Sequence, residues 1–243
     1  MDAMLVRDRY KVVRVTDCRE NYAFAEAVDI LDREMGGCLL NLYEGPLLRR
    51  YLPCFDRLKG SAAFRDLFLE GESLVTVFRD CGGDPIDQVF YLGDSHHWTE
   101  RLYYAGELME QVLNLSDLPP EMACALLLSE NVRVDRRNRS ICLRFHAVPM
   151  EEMNRREIVY LATDQLRKIL RVRAGSPREE LEFLDQLERG SCVTPVQLYA
   201  LWRAQSLKIR EAYEALEKKN VVRRWCSLLV ERVKRRIARR KER

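Results

Sequence analysis

The sequence predicts an α+β fold, on three observations. The first third of the chain carries short apolar runs at strand spacing with one helical interruption. Cys81-Gly82-Gly83 then breaks the pattern, and from Trp98 onward the apolar residues recur at helical spacing. An apolar share of 47% beside 33% charged residues is that of a folded globular chain, and 243 residues suffice for one large or two small domains.

The elements follow in order. Tyr10–Val15 alternates as a strand does, Tyr22–Ile30 is a second run, and Gly36 and Gly37 turn into a third, Cys38–Tyr43. Pro46 suits a first helical turn, so a helix is expected over Gly45–Leu58 with Leu48, Tyr51, Leu52 and Phe55 on one face. Ala62–Leu69 and Leu74–Phe78 read as two strands joined at Glu70-Gly71-Glu72, giving five strands with one helix after the third. Beyond the double glycine, Asp84 reads as an N-cap, Pro85 as a first-turn residue and Asp87 as an acid at the positive helix end. Trp98–Leu113 is an amphipathic helix with Leu102, Leu108, Val112 and Leu113 spaced for burial. After Leu118-Pro119-Pro120-Glu121 come a loop, a strand Asn131–Val134, a turn Asp135–Asn138 and a strand Ile141–Phe145. Helices are expected at Glu151–Arg171, Pro177–Leu187 and Pro195–Trp202, with a long charged helix from about Ala204.

Several chemistries are set aside. The eight cysteines contain no Cys-x-x-Cys pair, and His96, His97 and His146 offer no zinc spacing, so free thiols are expected in place of disulfides or a metal. His96 and His97 sit where a helix begins, and nothing nearby completes a catalytic triad. No apolar run approaches the roughly 18 residues of a membrane span. Met1–Asp8 carries charge where a signal peptide is apolar, so a cytoplasmic protein is expected.

Charge is unevenly spread. Lys208–Arg243 holds 14 Lys/Arg against 5 Glu, a net of +9, so the total of +3 leaves −6 on residues 1–207. Within the basic segment, Val222, Trp225, Cys226, Leu229, Val233 and Ile237 form one helical stripe, while Arg223, Arg224, Lys234, Arg235 and Arg236 supply charge. With Trp225 as anchor, such a helix suits a protein partner's groove or, next in order, an anionic membrane surface. It equally suits packing on the acidic body with its charged face solvated. Nucleic acid is not expected, because the body is acidic and shows no aromatic-interleaved basic groove.

The element order (three strands, a helix, two strands, a Gly-Gly break, helices, a strand pair, more helices) resembles that of protein kinases. Asp8–Val15 is similar to the first kinase strand, and Leu74–Gly83 to the strand entering the hinge. Leu126–His146 resembles the catalytic loop and metal-binding strand pair, H-R-D-x-x-x-x-N followed by D-F-G. The similarity spans residues 8–205 and implies a two-lobed fold: an N-lobe 1–82, a reduced helical C-lobe 83–205 and a basic amphipathic helical tail 206–243.

Matched position by position, the reaction's residues are missing. The phosphate-cradling turn is Thr16–Asn21, without glycine and with two acids, Asp17 and Glu20. The third-strand Lys falls on Asn41, the catalytic-loop His-Arg on Cys124 and Ala125, and its Asp on Leu126. The metal-binding Asp falls on Arg144 and the following Gly on His146; Asn131 and Phe145 match. The resemblance therefore implies a pseudokinase, an interaction or regulatory module with no catalytic residue, no metal ligand and no cofactor, ATP being the one candidate ligand.

Alternatives stay open at four points. Asn131 is either a vestigial ligand or a turn cap, and Asp87 either meets a ribose or serves the helix end. Arg144 either fills the vacated site as an internal cation, paired with Glu44 or another acid, or faces outward from its strand. For the whole chain, the rivals are a divergent nucleotide-binding phosphotransferase with relocated carboxylates and an α+β adaptor acting through its basic C-terminal helix.

Overall fold

The structure, a computed structural model, describes residues 4–32, 36–151 and 153–219. The chain begins as an antiparallel sheet of β1 (Leu5–Val6), β2 (Tyr10–Arg19), β3 (Tyr22–Asp29) and β4 (Gly37–Tyr43). Helix α1 (Gly45–Leu58) then leads to β5 (Phe64–Glu70) and β6 (Ser73–Arg79), and the spatial order is β1-β2-β3-β4-β6-β5. β1 was not expected, since two residues are too few to show a strand period. Two register shifts in β2, at Val12/Arg14 and Val15/Asp17, curl the sheet. Tyr10 thereby stacks on Phe68 of β5 at 6.1 Å.

One face of the sheet buries Ala25, Ala27, Leu40, Val75 and Val77. The other presents Phe24, Leu39, Tyr43 and Phe78 to Tyr51 and Phe55 of α1 and joins a core that continues into the later helices. Leu52, expected on the same stripe, is 39% exposed; the buried face of α1 is the narrower one set by Tyr51, Phe55 and Leu58.

After β6 the chain turns through Gly82 and Gly83, both at positive φ, into β7 (Asp84–Pro85). β7 pairs with β8 (Val132–Asp135), which pairs in turn with β9 (Ser140–Leu143). Pairing with β8 overrides the expected cap. Asp84 lies in a strand, and Pro85 takes the N-cap position of α2 (Ile86–Val89) without a side-chain cap bond. Gly83 is the demanding residue here, with φ +75° and an added Cβ only 2.8 Å from Val134 O. Gly83→Ala is expected to cost about 1–3 kcal/mol, read as a lower urea midpoint at unchanged slope.

The helical part comprises α3 (Trp98–Asn114), α4 (Pro120–Leu126), α5 (Arg155–Ile169), α6 (Arg178–Glu188) and α7 (Pro195–Glu217). His97 caps α3 in a capping box with Glu100, which gives that histidine a structural role. α5 begins four residues later than expected because Asn154 and Glu157 form a second capping box. The helices expected at Pro195–Trp202 and from Ala204 are one. No breaker separates them, and the boundary expected at 205/206 falls inside α7. Its second half is bound to the body by buried Ile209, Tyr213 and Leu216, by Tyr213 stacked on Trp98 at 4.9 Å, and by Trp98 Nε1 donating to Glu217 Oε1 at 2.6 Å. Among the described residues no helix is long and apolar enough to cross a membrane.

Candidate functional site

Three of the positions marked by the sequence, Asn41, Phe145 and His146, meet where β3 and β4 face the segment leaving β9. Asn41 is fully buried on β4, across from Phe24 on β3. Its Nδ2 donates to Phe145 O at 2.9 Å, while its Oδ1 accepts from Ala147 N and from Tyr22 Oη, each at 3.0 Å. These partners settle which way the amide points. Tyr43, two residues further on the same face, donates to Ala147 O at 2.7 Å. The sheet is thus fastened to residues 145–147 by three direct hydrogen bonds.

Rings close the same space. Phe145 stacks on Phe78 at 4.3 Å and His146 on Phe24 at 4.1 Å. His146 Nε2 also lies 3.4 Å from Asp17 Oδ2, near the end of β2. Burial is the main cause of an imidazole pKa below the ordinary 6.5; Asp17 pulls it back up and Arg144 lowers it further. The unfolded chain therefore takes a proton below pH 6.5 that the folded ring resists, and stability falls as pH drops through that window. His146→Phe keeps an aromatic stack and removes this contribution, so its melting temperature is expected to fall less than the parent's between about pH 6.5 and 5.

Arg144 resolves an open alternative. β9 ends at Leu143, two residues short of expectation, so Arg144 leaves the strand and lies mostly buried over the Phe24 ring, 5.2 Å from its centroid. Its Nη2 pairs with Glu26 Oε1, which Arg14 also meets at 3.1 Å. Arg144 is therefore an internal cation, and its partner is Glu26; Glu44 instead accepts from Ser73 Oγ at 2.6 Å.

The turn expected over Thr16–Asn21 is mostly strand. β2 runs to Arg19 and β3 starts at Tyr22, leaving only Glu20 and Asn21 between them, with Asn21 at φ 60°. Asn tolerates that left-handed conformation well. A tight two-residue hairpin turn stands where a turn over Thr16–Asn21 was expected.

Asn131 is fully buried just before β8, and its Nδ2 donates to Ala125 O at 2.7 Å and His146 O at 3.0 Å. Two carbonyl acceptors fix the amide nitrogen toward them, and Oδ1 has no hydrogen-bond partner among the described residues. Asp87 stands in the first turn of α2 with its carboxylate 3.0 Å from Lys168 Nζ, which also donates to Ser129 Oγ at 2.6 Å. Asn131 and Asp87 thus engage separate partners. Trp225, Arg223, Arg224, Lys234, Arg235 and Arg236 lie outside the described residues.

Sequence reasoning missed the groups that fill this space, namely Tyr22, Phe24, Glu26 and Tyr43. A signal was present. Tyr22, Phe24 and Glu26 alternate on one face of β3, opposite the strand that carries Asn41 and Tyr43.

The chain has a protein-kinase-like fold. It aligns with the crystal structure of the Mycobacterium tuberculosis PknI kinase domain at a TM-score of 0.53 and 13% identity, covering 88% of this chain and 99% of that one. No family model and no curated protein matches the sequence.

Proposed function

We propose that this kinase-like chain is a pseudokinase: a two-lobed module, hinged at Cys81–Gly83, that does not transfer phosphate and acts by binding a partner. The observation that carries the reading is Asn41. At the position where a kinase sets a lysine against nucleotide phosphates, this chain has a neutral amide whose donors and acceptors serve Phe145, Ala147 and Tyr22. Magnesium held with a nucleotide relies on carboxylates and phosphates together. Here Arg144 occupies the metal-carboxylate position as a cation paired to Glu26, and the unpartnered oxygen of Asn131 carries no charge. These residues do not fit a magnesium nucleotide.

The test is thermal unfolding of the chain with millimolar ATP or GTP and Mg²⁺ or Mn²⁺, beside a phosphotransfer assay. No rise in melting temperature and no transferred label are expected. A ligand at 100 times its Kd adds about 2.7 kcal/mol, so binding would be plain. A nucleotide-dependent rise with transfer of label would replace this reading by the divergent phosphotransferase.

The same reading makes the basic residues of 220–243, Trp225 among them, the contact element for a cytoplasmic protein partner. An anionic membrane surface is the competing occupant, and liposome sedimentation with and without residues 220–243 separates the two.

A further inference from the structure

Two cysteines meet where β6 passes to β7. Cys81 stands in the linker beside Gly82, and Cys142 lies on β9. Cys142 directs its thiol toward Cys81 O and Arg133 O, each at 3.9 Å, and Cys81 directs its own toward Gly82 O at 3.6 Å. Both residues are partly exposed. Cys38 and Cys124 make the contrast: each is buried, and burial pushes their thiols up to about 11 and about 12.

A cation completes the arrangement. Arg133 of β8 pairs in register with Cys142, and its Nε is buried without a hydrogen-bond partner among the described residues. Its charge favours the thiolate at both sulfurs, whereas Asp80 opposes it at both and Asp135 at Cys142. The neighbouring Cys81 side chain, more than any other group, holds the Cys142 thiol below the ordinary range. Cys81 titrates above that range, first through the Cys142 side chain beside it and then through burial. The two sulfurs are therefore unequal, Cys142 suited to attack and Cys81 to resolve.

We propose that Cys142 and Cys81 form a redox pair which a hydroperoxide converts to a disulfide between the linker and β9. The Cys142 thiolate attacks the peroxide, the O–O bond breaks, and sulfur takes OH to become a sulfenic acid. The other oxygen leaves as alkoxide or hydroxide and is protonated. Cys81 then gives up its proton and attacks the sulfenic sulfur; the S–O bond breaks, and water leaves. Two thiols lose two electrons and the peroxide gains them, giving one disulfide, one alcohol (or water) and one water. With Cys142 Sγ 3.9 Å from Cys81 O the two residues already adjoin, as an S–S bond of about 2.05 Å requires. The bond would tie the linker to β9 beside the point where Gly83 already abuts Val134 of β8. This inference does not depend on whether a nucleotide binds.

The experiment treats the reduced full chain with hydrogen peroxide at pH 7, alkylates the free thiols and maps the cysteines by mass spectrometry. A Cys81–Cys142 cross-linked peptide is expected to form first and to dominate. Cys81→Ser is expected to accumulate a dimedone-reactive sulfenic acid at Cys142, and Cys142→Ser to give no cross-link to Cys81. The oxidised parent should melt at a higher temperature than the reduced one, a difference absent from both variants. Cross-linking through other cysteines first, or a Cys142 that stays alkylatable under the same peroxide, overturns the proposal. The parent chain alone decides this if either variant fails to fold.

Discussion

Asp94→Ala will destabilise the protein by about 3–5 kcal/mol, the scale of a buried charge left without its partner. Arg101 lies mid-way in the first half of α3 with its side chain 4% exposed, and its Nη2 bonds Asp94 Oδ1 while its Nη1 bonds Ile169 O at the end of α5. Arg173 reaches the same carboxylate oxygen at 2.6 Å and Asp94 O at 3.0 Å. One carboxylate thus serves two guanidinium groups and brackets α3 to the chain beyond α5. Without it, two cations stay together, with the buried Glu180 as the nearby acid acting on both. Asp94→Asn keeps an acceptor and should cost less. Urea unfolding of both variants gives the comparison, and for a chain of this size each kcal/mol moves the melting temperature about 2–4 °C.

The same cluster sets an acid limit. Burial pushes the Asp94 carboxyl up, but hydrogen bonds from Arg101, His96 N and Arg173 outweigh it and hold the group below the ordinary 3.8. Its stabilising contribution is therefore complete above about pH 3.8 and lost as pH falls through the folded value. Glu180 has the opposite sign. Burial raises it above 4.5 despite bonds from Ser176 and Tyr213, so its contribution is lost as pH rises from 4.5 through the folded value. Asp94→Asn is expected to lack the Asp94 loss at low pH and to retain the Glu180 loss as pH rises from 4.5, which a series of melting temperatures from about pH 2 to 7 resolves.

Local chemistry was legible in the sequence, and contact across the chain was not. α1 begins at Gly45 and ends at Leu58 as the proline and the apolar spacing predict, and α3 begins at Trp98 where its periodicity begins. Where several residues compete for one cap, the reading slipped: Asn154 with Glu157 starts α5, and Asp84 is drawn into a strand by β8. That Asn41 is neutral could be read from its letter. That its amide reaches Phe145, 104 residues away, could not, nor that Arg144 pairs with Glu26 across 118 residues. Periodicity reports which face is buried; it carries no information on which polar group waits there. Arg101 makes the same point, because in the sequence it is one charged residue beside an apolar stripe.

Asn41→Leu is the second large effect, an expected loss of about 3–5 kcal/mol. The two side chains are close in size, so the cavity contribution is small and the cost is polar. Phe145 C=O, Ala147 N–H and Tyr22 Oη lose their partner in a fully buried site, and each such orphan costs about 1–3 kcal/mol. Three such orphans sum to about 3–9 kcal/mol, and the expected loss lies in the lower part because Tyr43 still holds the segment in place through the Ala147 carbonyl. Tyr43→Phe alone should cost about 1 kcal/mol. The double variant should depart from additivity, since both side chains hold the same residue in place. Asn41→Lys separates a vestige from a working site. A lysine buried there meets a backbone carbonyl, a backbone N–H and a phenol, none of which offsets a desolvated charge, so it should unfold more readily than Asn41→Leu. On the pseudokinase reading magnesium nucleotide is expected to leave its melting temperature unchanged, because Arg144, paired with Glu26, keeps a cation beside the site. If nucleotide instead restores the stability of Asn41→Lys, the cleft still admits phosphates, and the pseudokinase reading fails at the residue that carries it.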